Sequence, residues 1–272
     1  MSADRTILVT GSTQGLGRRV VEGLAQPGMR ILVHGRNASR GAEVVSALQR
    51  EGASATFLEA DLASLEEARR LADAVHKECT HLDVLINNAG ISKPDGPRRE
   101  SVDRFEMHFA INYLASFLLT ERLLPLLRAG AGEEPARIVH VASAGQSPID
   151  FDDVMLEQGY HGFRAYGQSK VAQIMHTLDL AEALDPHEVV ANALHPGTHM
   201  DTAMVRDAGI SPSGSVDAGA AAVIALAAGE NHRTTSGRYF NGRHEARATA
   251  QVYDAAARDR LRALSRKMTG LA

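Results

Sequence analysis

The chain has 272 residues, 44% apolar and 23% charged, with a formal net charge of −4. That is enough for one large domain with a substantial core, and the acidic balance argues against nucleic acid or an anionic membrane as partner. A single cysteine, Cys79, excludes an intramolecular disulfide framework and fits a reducing, cytoplasmic setting.

The first apolar run, "TILVT" (6–10), begins too close to Met1 for a signal peptide to be expected before it. It leads straight into "TGSTQGLG", Thr10 to Gly17, which opens a helix. Glycines at 11, 15 and 17 permit a tight turn, a close backbone approach and close helix–strand packing, and the helix start offers free N–H groups to an anion. Gly11, Ser12, Thr13, Gln14, Gly15, Leu16 and Gly17 are therefore the expected cradle of a dinucleotide.

The second strand, "RILVH" (30–34), ends in Gly35 and Arg36 with no carboxylate for a ribose 2′-hydroxyl. A guanidinium there suits a 2′-phosphate. NADP(H) is the expected cofactor, NAD(H) a possible one, with Asn37 and Arg40 as helpers of Arg36.

Further strands are expected at "ATFLEA" (55–60), "DVLIN" (83–87), "RIVHVA" (137–142), "VVANALH" (189–195) and "GRYF" (237–240). Helices are expected from near Gly15, Ala38, Leu65, Val102, Tyr166 and Val216, and "RAGAGEEPAR" (128–137) as a loop. Such alternation, with nearly continuous apolar strands, implies an α/β fold: a doubly wound parallel sheet of about seven strands, helices on both faces, in a single domain over 1–272. The most apolar helix candidate, 218–229, has 12 residues and is too short to cross a bilayer, so no membrane partner is expected. No metal-ligand spacing such as HExxH occurs among the 12 histidines, and no metal is expected.

"AYGQSK" sets Tyr166 and Lys170 one helical turn apart in a chain that has only four lysines. A nearby ammonium stabilises phenolate, and phenolate exchanges protons with alcohols and carbonyls. Bringing a tyrosine from its ordinary pKa of ~10 to neutrality takes roughly 3 units, or about 4 kcal/mol, which Lys170 and a cationic nicotinamide would share.

These motifs, in order, resemble the short-chain dehydrogenase/reductases, a Rossmann-fold family. TGxxxGxG stands at Thr10 to Gly17, Asp61-Leu62 follows the third strand, and "NNAG" (87–90) supplies Asn88, Ala89 and Gly90. Asn112 sits in "FAINYLASF", Ser143 in "VASAG", and "HPG" (195–197) supplies Pro196 and Gly197 before Thr198 and Thr202. The long segment between Ser143 and Tyr166, and the tail from Gly237, are most similar to the group around retinol dehydrogenases and the WW-domain oxidoreductase. That group's membrane-anchoring N-terminal helix is not found ahead of the first strand.

The resemblance implies hydride transfer between nicotinamide and a carbonyl or alcohol. Tyr166 is then the general acid/base, and Lys170 supports it and bonds the nicotinamide ribose. Ser143 binds the substrate oxygen, Asn112 holds a proton path through a water, and Asp61 contacts adenine. It also implies a homodimer or homotetramer built from the helices near Val102 and Tyr166, although their apolar stripe suits burial within one chain equally well. His140 is expected in the core and His195 as a support for the loop that follows it. Segments 147–163 and 198–215 are expected to cover the pocket. The alternative is a catalytically silent NADP(H)-binding redox sensor, which needs the glycine turn but no tyrosine–lysine pair.

Overall fold

Apolar runs become strands buried on both faces. In the computed structural model, which describes residues 5–271, the strands are β1 (Arg5–Val9), β2 (Met29–Gly35), β3 (Ser54–Glu59), β4 (Val84–Asn87), β5 (Ala136–Val141), β6 (Val189–His195), β7 (Arg238–Asn241) and β8 (His244–Ala246). They form one sheet in the order β3-β2-β1-β4-β5-β6-β7-β8. The first seven run parallel, and β8 returns antiparallel on β7. The sheet therefore has eight strands where about seven are expected; "HEA" is short, polar and at the edge, so no apolar alternation marks it.

The period of two divides the core. Ile7, Val9, Ile31, Val33, Val84 and Ile86 face α1 (Gly15–Leu24), α2 (Ala38–Arg50) and, further along the chain, α7 (Val216–Ala228). Leu8, Leu32 and Leu85 face the other layer, which holds α3 (Leu65–Glu78), α4 (Ala115–Gly130) and α5 (Gly162–Ala183). Strand order reverses between β1 and β4, and the crevice this leaves at the carboxyl ends of the strands is where ligands bind in such sheets.

Several expected boundaries move. The helix expected from Val102 begins later, with a π-helical turn over Phe109–Leu114 that runs into α4; Val102 itself is 75% exposed in a turn. The helix carrying Tyr166 starts one turn earlier, at Gly162. The expected loop 128–137 is shorter, because α4 extends to Gly130 and β5 starts at Ala136. Phe109–Gly130 is long and apolar enough to span a membrane by length and composition, but 78% of an 18-residue apolar window within it is buried in the fold.

The last helices are α6 (Ala203–Asp207), inside the expected covering loop, and α8 (Ala255–Thr269). Asp254 caps α8 through Ala256 and Ala257 N–H, and Gly270, at φ 67°, ends it. The helix lies over the α4–α5 layer. Arg258 bonds Asp179 at 2.9 Å, the Tyr113 hydroxyl meets Ser265 at 2.7 Å, and Arg266 stands 3.5 Å from Glu121. The apolar stripe of α5 is buried within the chain, and α8 is tied to the same layer by these polar contacts.

Candidate active site

A cleft of about 620 Å³ opens at the carboxyl end of the sheet. The turn between β1 and α1 forms one wall. Gly11 and Gly15 have φ of 65° and 54°, which a side chain would strain. A Cβ on Gly17 would stand 2.3 Å from the Gly11 carbonyl oxygen and 2.4 Å from Asn88 Nδ2, so only glycine fits there. Thr10 Oγ1 accepts from the Asn88 and Ala89 N–H groups, both at 3.0 Å, and Asn88 Nδ2 donates to Thr10 O at 2.8 Å. These bonds lock the glycine turn to the "NNAG" segment.

His34, at the end of β2, completes that lock. Its Nδ1 accepts from Gly11 N–H at 3.0 Å, so Nε2 carries the proton and donates to Ala60 O at 3.2 Å. Burial pushes the imidazole down to about 4, keeping it neutral in this role. Sequence reasoning placed His34 on the strand and missed the function; a polar residue inside an apolar strand directly before the ribose position was the available signal.

Of the expected cofactor residues, Gly11, Thr13, Gln14, Gly15, Leu16, Gly17, Arg36, Asp61, Leu62, Asn88, Ala89, Gly90, Tyr166, Lys170, Pro196, Gly197, Thr198 and Thr202 line this one cleft. Two do not. Ser12 is fully buried beneath the turn, donating to Val9 O at 2.8 Å and accepting from His34 N–H at 3.0 Å. Asn37 caps α2, accepting from Arg40 N–H at 2.9 Å. In both, the side chain bonds the chain's own backbone. The Arg40 guanidinium rests on the Gln14 side chain. Arg36 is 66% exposed, with Nη1 3.6 Å from Asp61 Oδ2.

The other wall holds the expected catalytic residues. Ser143 follows β5, and its Oγ accepts from Gly145 N–H at 3.0 Å. Its carbonyl accepts from the Tyr239 hydroxyl and from Gln146 Nε2, each at 3.0 Å. Tyr239 and Gln146 are thus positioning residues of Ser143 that no motif revealed. Tyr166 lies beside Ser143, and Lys170 Nζ is 5.6 Å from the Tyr166 ring centroid.

The electrostatics differ from expectation. Burial raises Tyr166 above its ordinary value, with the Ser143 hydrogen bond opposing the shift, and burial lowers Lys170 to about 7. Desolvation disfavours both charged forms, so it acts against the depressed tyrosine that the sequence suggests.

Asn112 stands behind Gly90. It lies in the π-helical turn, fully buried and outside the cleft lining. Its Oδ1 accepts from Ile91 N–H at 2.8 Å, and Nδ2 donates to Ile91 O at 3.1 Å and Ser169 Oγ at 2.9 Å. Both amide hydrogens are used, so the side chain fixes the segment after "NNAG". His140 is buried in the core, as expected, and His195 Nε2 meets Thr198 Oγ1 at 3.0 Å, the loop-supporting contact the sequence suggests.

The chain belongs to the short-chain dehydrogenase family, whose sequence pattern, described as "short chain dehydrogenase", matches residues 5–211. It is an oxidoreductase of that family. Mouse "Polyprenol dehydrogenase" is 36% identical over 284 residues, covering 98% of this chain and 84% of that protein. Human "Retinol dehydrogenase 14" is 34% identical over 296 residues, covering 98% and 87%. Among solved structures, the Pseudomonas aeruginosa RhlG/NADP active-site complex superposes with a TM-score of 0.73 at 30% identity, covering 88% of this chain and 95% of that one.

Proposed function

We propose that the protein is an NADP(H)-dependent oxidoreductase that interconverts a carbonyl and an alcohol, with Tyr166 as general acid and base. The observation that carries this reading is the convergence of the glycine turn, Ser143, Tyr166 and Lys170 on one cleft. The glycine positions fit a dinucleotide phosphate, because each is a place where a side chain would fill or strain the cradle. Arg36 at the rim, without a neighbouring acidic residue on β2, and the NADP complex of the similar structure both favour the phosphorylated cofactor.

The bound cofactor supplies or takes the hydride. In reduction, Tyr166 gives its phenolic proton to the carbonyl oxygen as the carbonyl carbon is reduced, and Ser143 Oγ hydrogen-bonds the same oxygen as negative charge grows on it. Lys170 stabilises the phenolate left behind. In the reverse direction the phenolate takes the alcohol proton. A tyrosine held protonated by burial suits reduction at neutral pH.

The mouth of the cleft is apolar, with Ile91, Pro94, Phe163, Met204, Val205 and Ile210. Phe163 and Met204 are 50% and 36% exposed. A carbonyl or alcohol on an apolar body fits this mouth, and polyprenol and retinol, in the names of the two relatives, are molecules of that kind.

The test is NADPH consumption with a panel of apolar aldehydes and ketones, alongside cofactor titration. Tyr166→Phe should cut turnover by about 10²–10⁴ and leave the NADPH Kd unchanged, since general acid–base catalysis is worth that much. A variant within tenfold of wild type would end the assignment. A silent sensor would bind NADPH and turn over nothing in the panel.

A further inference from the structure

Lys170 rests on a buried polar cluster that the proposed reaction does not use. Gln173 and Thr177 continue α5 from Lys170, His140 comes from β5, and His176 stands next to His140, with ring centroids 5.3 Å apart. All four side chains are at most 4% exposed, and none lines the cleft. Lys170 Nζ donates to Gln173 Oε1 and to Val141 O, each at 2.9 Å. Among the described residues, no carboxylate lies within ion-pair distance of that ammonium. Two carbonyl dipoles are what the buried charge has.

The orientation of these groups is determined. An amide turned the other way would point N–H at the ammonium, so Gln173 must present Oε1. Thr177 Oγ1 donates to Gln173 O at 2.9 Å and therefore accepts from His140 Nδ1–H at 3.1 Å. That leaves His140 Nε2 a bare acceptor. Neither it nor the Gln173 Nε2 donor has a protein partner, and both are buried.

We propose that Gln173 is a positioning residue for catalysis: its side-chain carbonyl, on a helix turn that Thr177 ties down, aims Lys170 and sets the pH above which the ammonium is lost. The inference rests on the catalytic reading of Tyr166 and Lys170. Burial alone has brought Lys170 down to about 7, so a single hydrogen bond to its charged form decides its state near neutrality. The other titratable groups around it do not take over that role. Burial, then His176 and Lys170 itself, hold His140 well below its ordinary value, so it stays neutral. Tyr166 shares the helix face, and Tyr113 reaches only the His176 ring, 6.4 Å away. Glu121 on α4 stands 3.7 Å from His176 and is drawn outward to Arg266 of α8, while Asp179 on α5 is taken by Arg258 and Arg262.

The test uses the full chain with 13C-labelled lysine. Only four lysines give signals, Lys170 is the buried one, and Lys170→Arg assigns its signal. Gln173→Leu removes the hydrogen bond and should lower the Lys170 midpoint by about one pH unit; Gln173→Glu adds a counter-charge and should raise it by at least about one. The basic limb of kcat/KM for carbonyl reduction, at saturating NADPH, should move in the same two directions. A Lys170 midpoint unmoved in both variants overturns the proposal whatever happens to turnover. Midpoints that move apart while the limb stays still overturn the catalytic reading of Lys170 instead. A purely structural role for Gln173 predicts losses of kcat without opposite shifts of the limb.

Discussion

The two walls of the cleft are made by opposite means. On the β1–α1 side the chain offers mostly backbone, with N–H groups at a helix start, glycines that leave no room for a methyl group, and His34 kept neutral to hold them. On the α5 side it offers side chains, among them a buried ammonium with no carboxylate partner and a half-buried phenol. The first wall is shaped by steric exclusion and recognises a ligand that every relative of the reaction would need. The second stores unfavourable electrostatics at the place where a proton must move, as sites of proton transfer commonly do.

The sharpest way to separate the walls is by pH. His34 and Lys170 both have folded pKa values below their unfolded ones, so the unfolded chain binds more protons and stability rises with pH in each window. Lys170 contributes its full share above about 10.5, and loses it as pH falls to about 7. His34 is at full strength above about 6.5, and its share is lost as pH falls to about 4. At 1.36 kcal/mol per unit the two losses are about 5 and about 3 kcal/mol. Denaturant unfolding across pH 4–10 should show both. Lys170→Met should flatten the upper window, and His34→Asn, whose Oδ1 can still accept from Gly11 N–H, should make only the lower one shallower, because buried His140 keeps its own share there. A variant that leaves both windows unchanged would mean the group it replaces is not buried as described.

Steric exclusion on the first wall predicts a smaller but specific effect. In Gly17→Ala the new methyl meets the Gly11 carbonyl and Asn88 Nδ2, and overpacking of that kind costs about 1–3 kcal/mol. NADPH and NADH should weaken together, by about 10- to 100-fold, while the tyrosine and lysine titrations stay where they are. A variant that weakened only one cofactor would show that the turn reads more than the shared pyrophosphate.

How much of this was legible in the sequence follows the same division. Glycines after a strand have few other uses, so the first wall could be read from "TGSTQGLG", and apolar runs gave seven strands within a residue or two of their ends. What stayed hidden was whatever depends on three-dimensional partners. Ser12 and Asn37 fit a binding motif by position, yet their oxygens serve the backbone. Asn112 was placed correctly on its helix, but its hydrogen bonds to Ile91 and Ser169 cross 21 and 57 residues, and no local pattern encodes them. Gln173, His140 and Thr177 look like ordinary residues of a helix and a strand until the fold stacks them under Lys170. The ion pairs that tie α8 to α5 are hidden for the same reason, since they join Arg258 to Asp179 across 79 residues.

The smallest expected effect lies where the first wall meets solvent. The Arg36 guanidinium is 66% exposed and already shares a carboxylate, Asp61, at 3.6 Å. A charge-assisted hydrogen bond to a 2′-phosphate is worth roughly 1.5–3 kcal/mol when it is formed from an unpaired group. Solvent screening and the competing Asp61 contact bring the net gain down to about 1 kcal/mol. Arg36→Ala should therefore weaken NADPH by no more than about tenfold, with NADH almost unchanged, and added salt should narrow the difference in the wild type. Gly35→Asp is not the clean complement it would be on an open strand end, because a Cβ at Gly35 falls 2.6 Å from Thr13 Cγ2 and would disturb the phosphate turn for both cofactors. Asp61→Asn is the better partner variant: it frees the guanidinium and removes a like charge from the phosphate, so NADPH should tighten in wild-type background and gain less once Arg36 is alanine, when only the lost repulsion remains. Measured Kd values for both cofactors across that double-mutant cycle decide the matter. Equal weakening of NADPH and NADH in Arg36→Ala would reduce the arginine to a support of the rim, and with it the structural basis for preferring the phosphorylated cofactor.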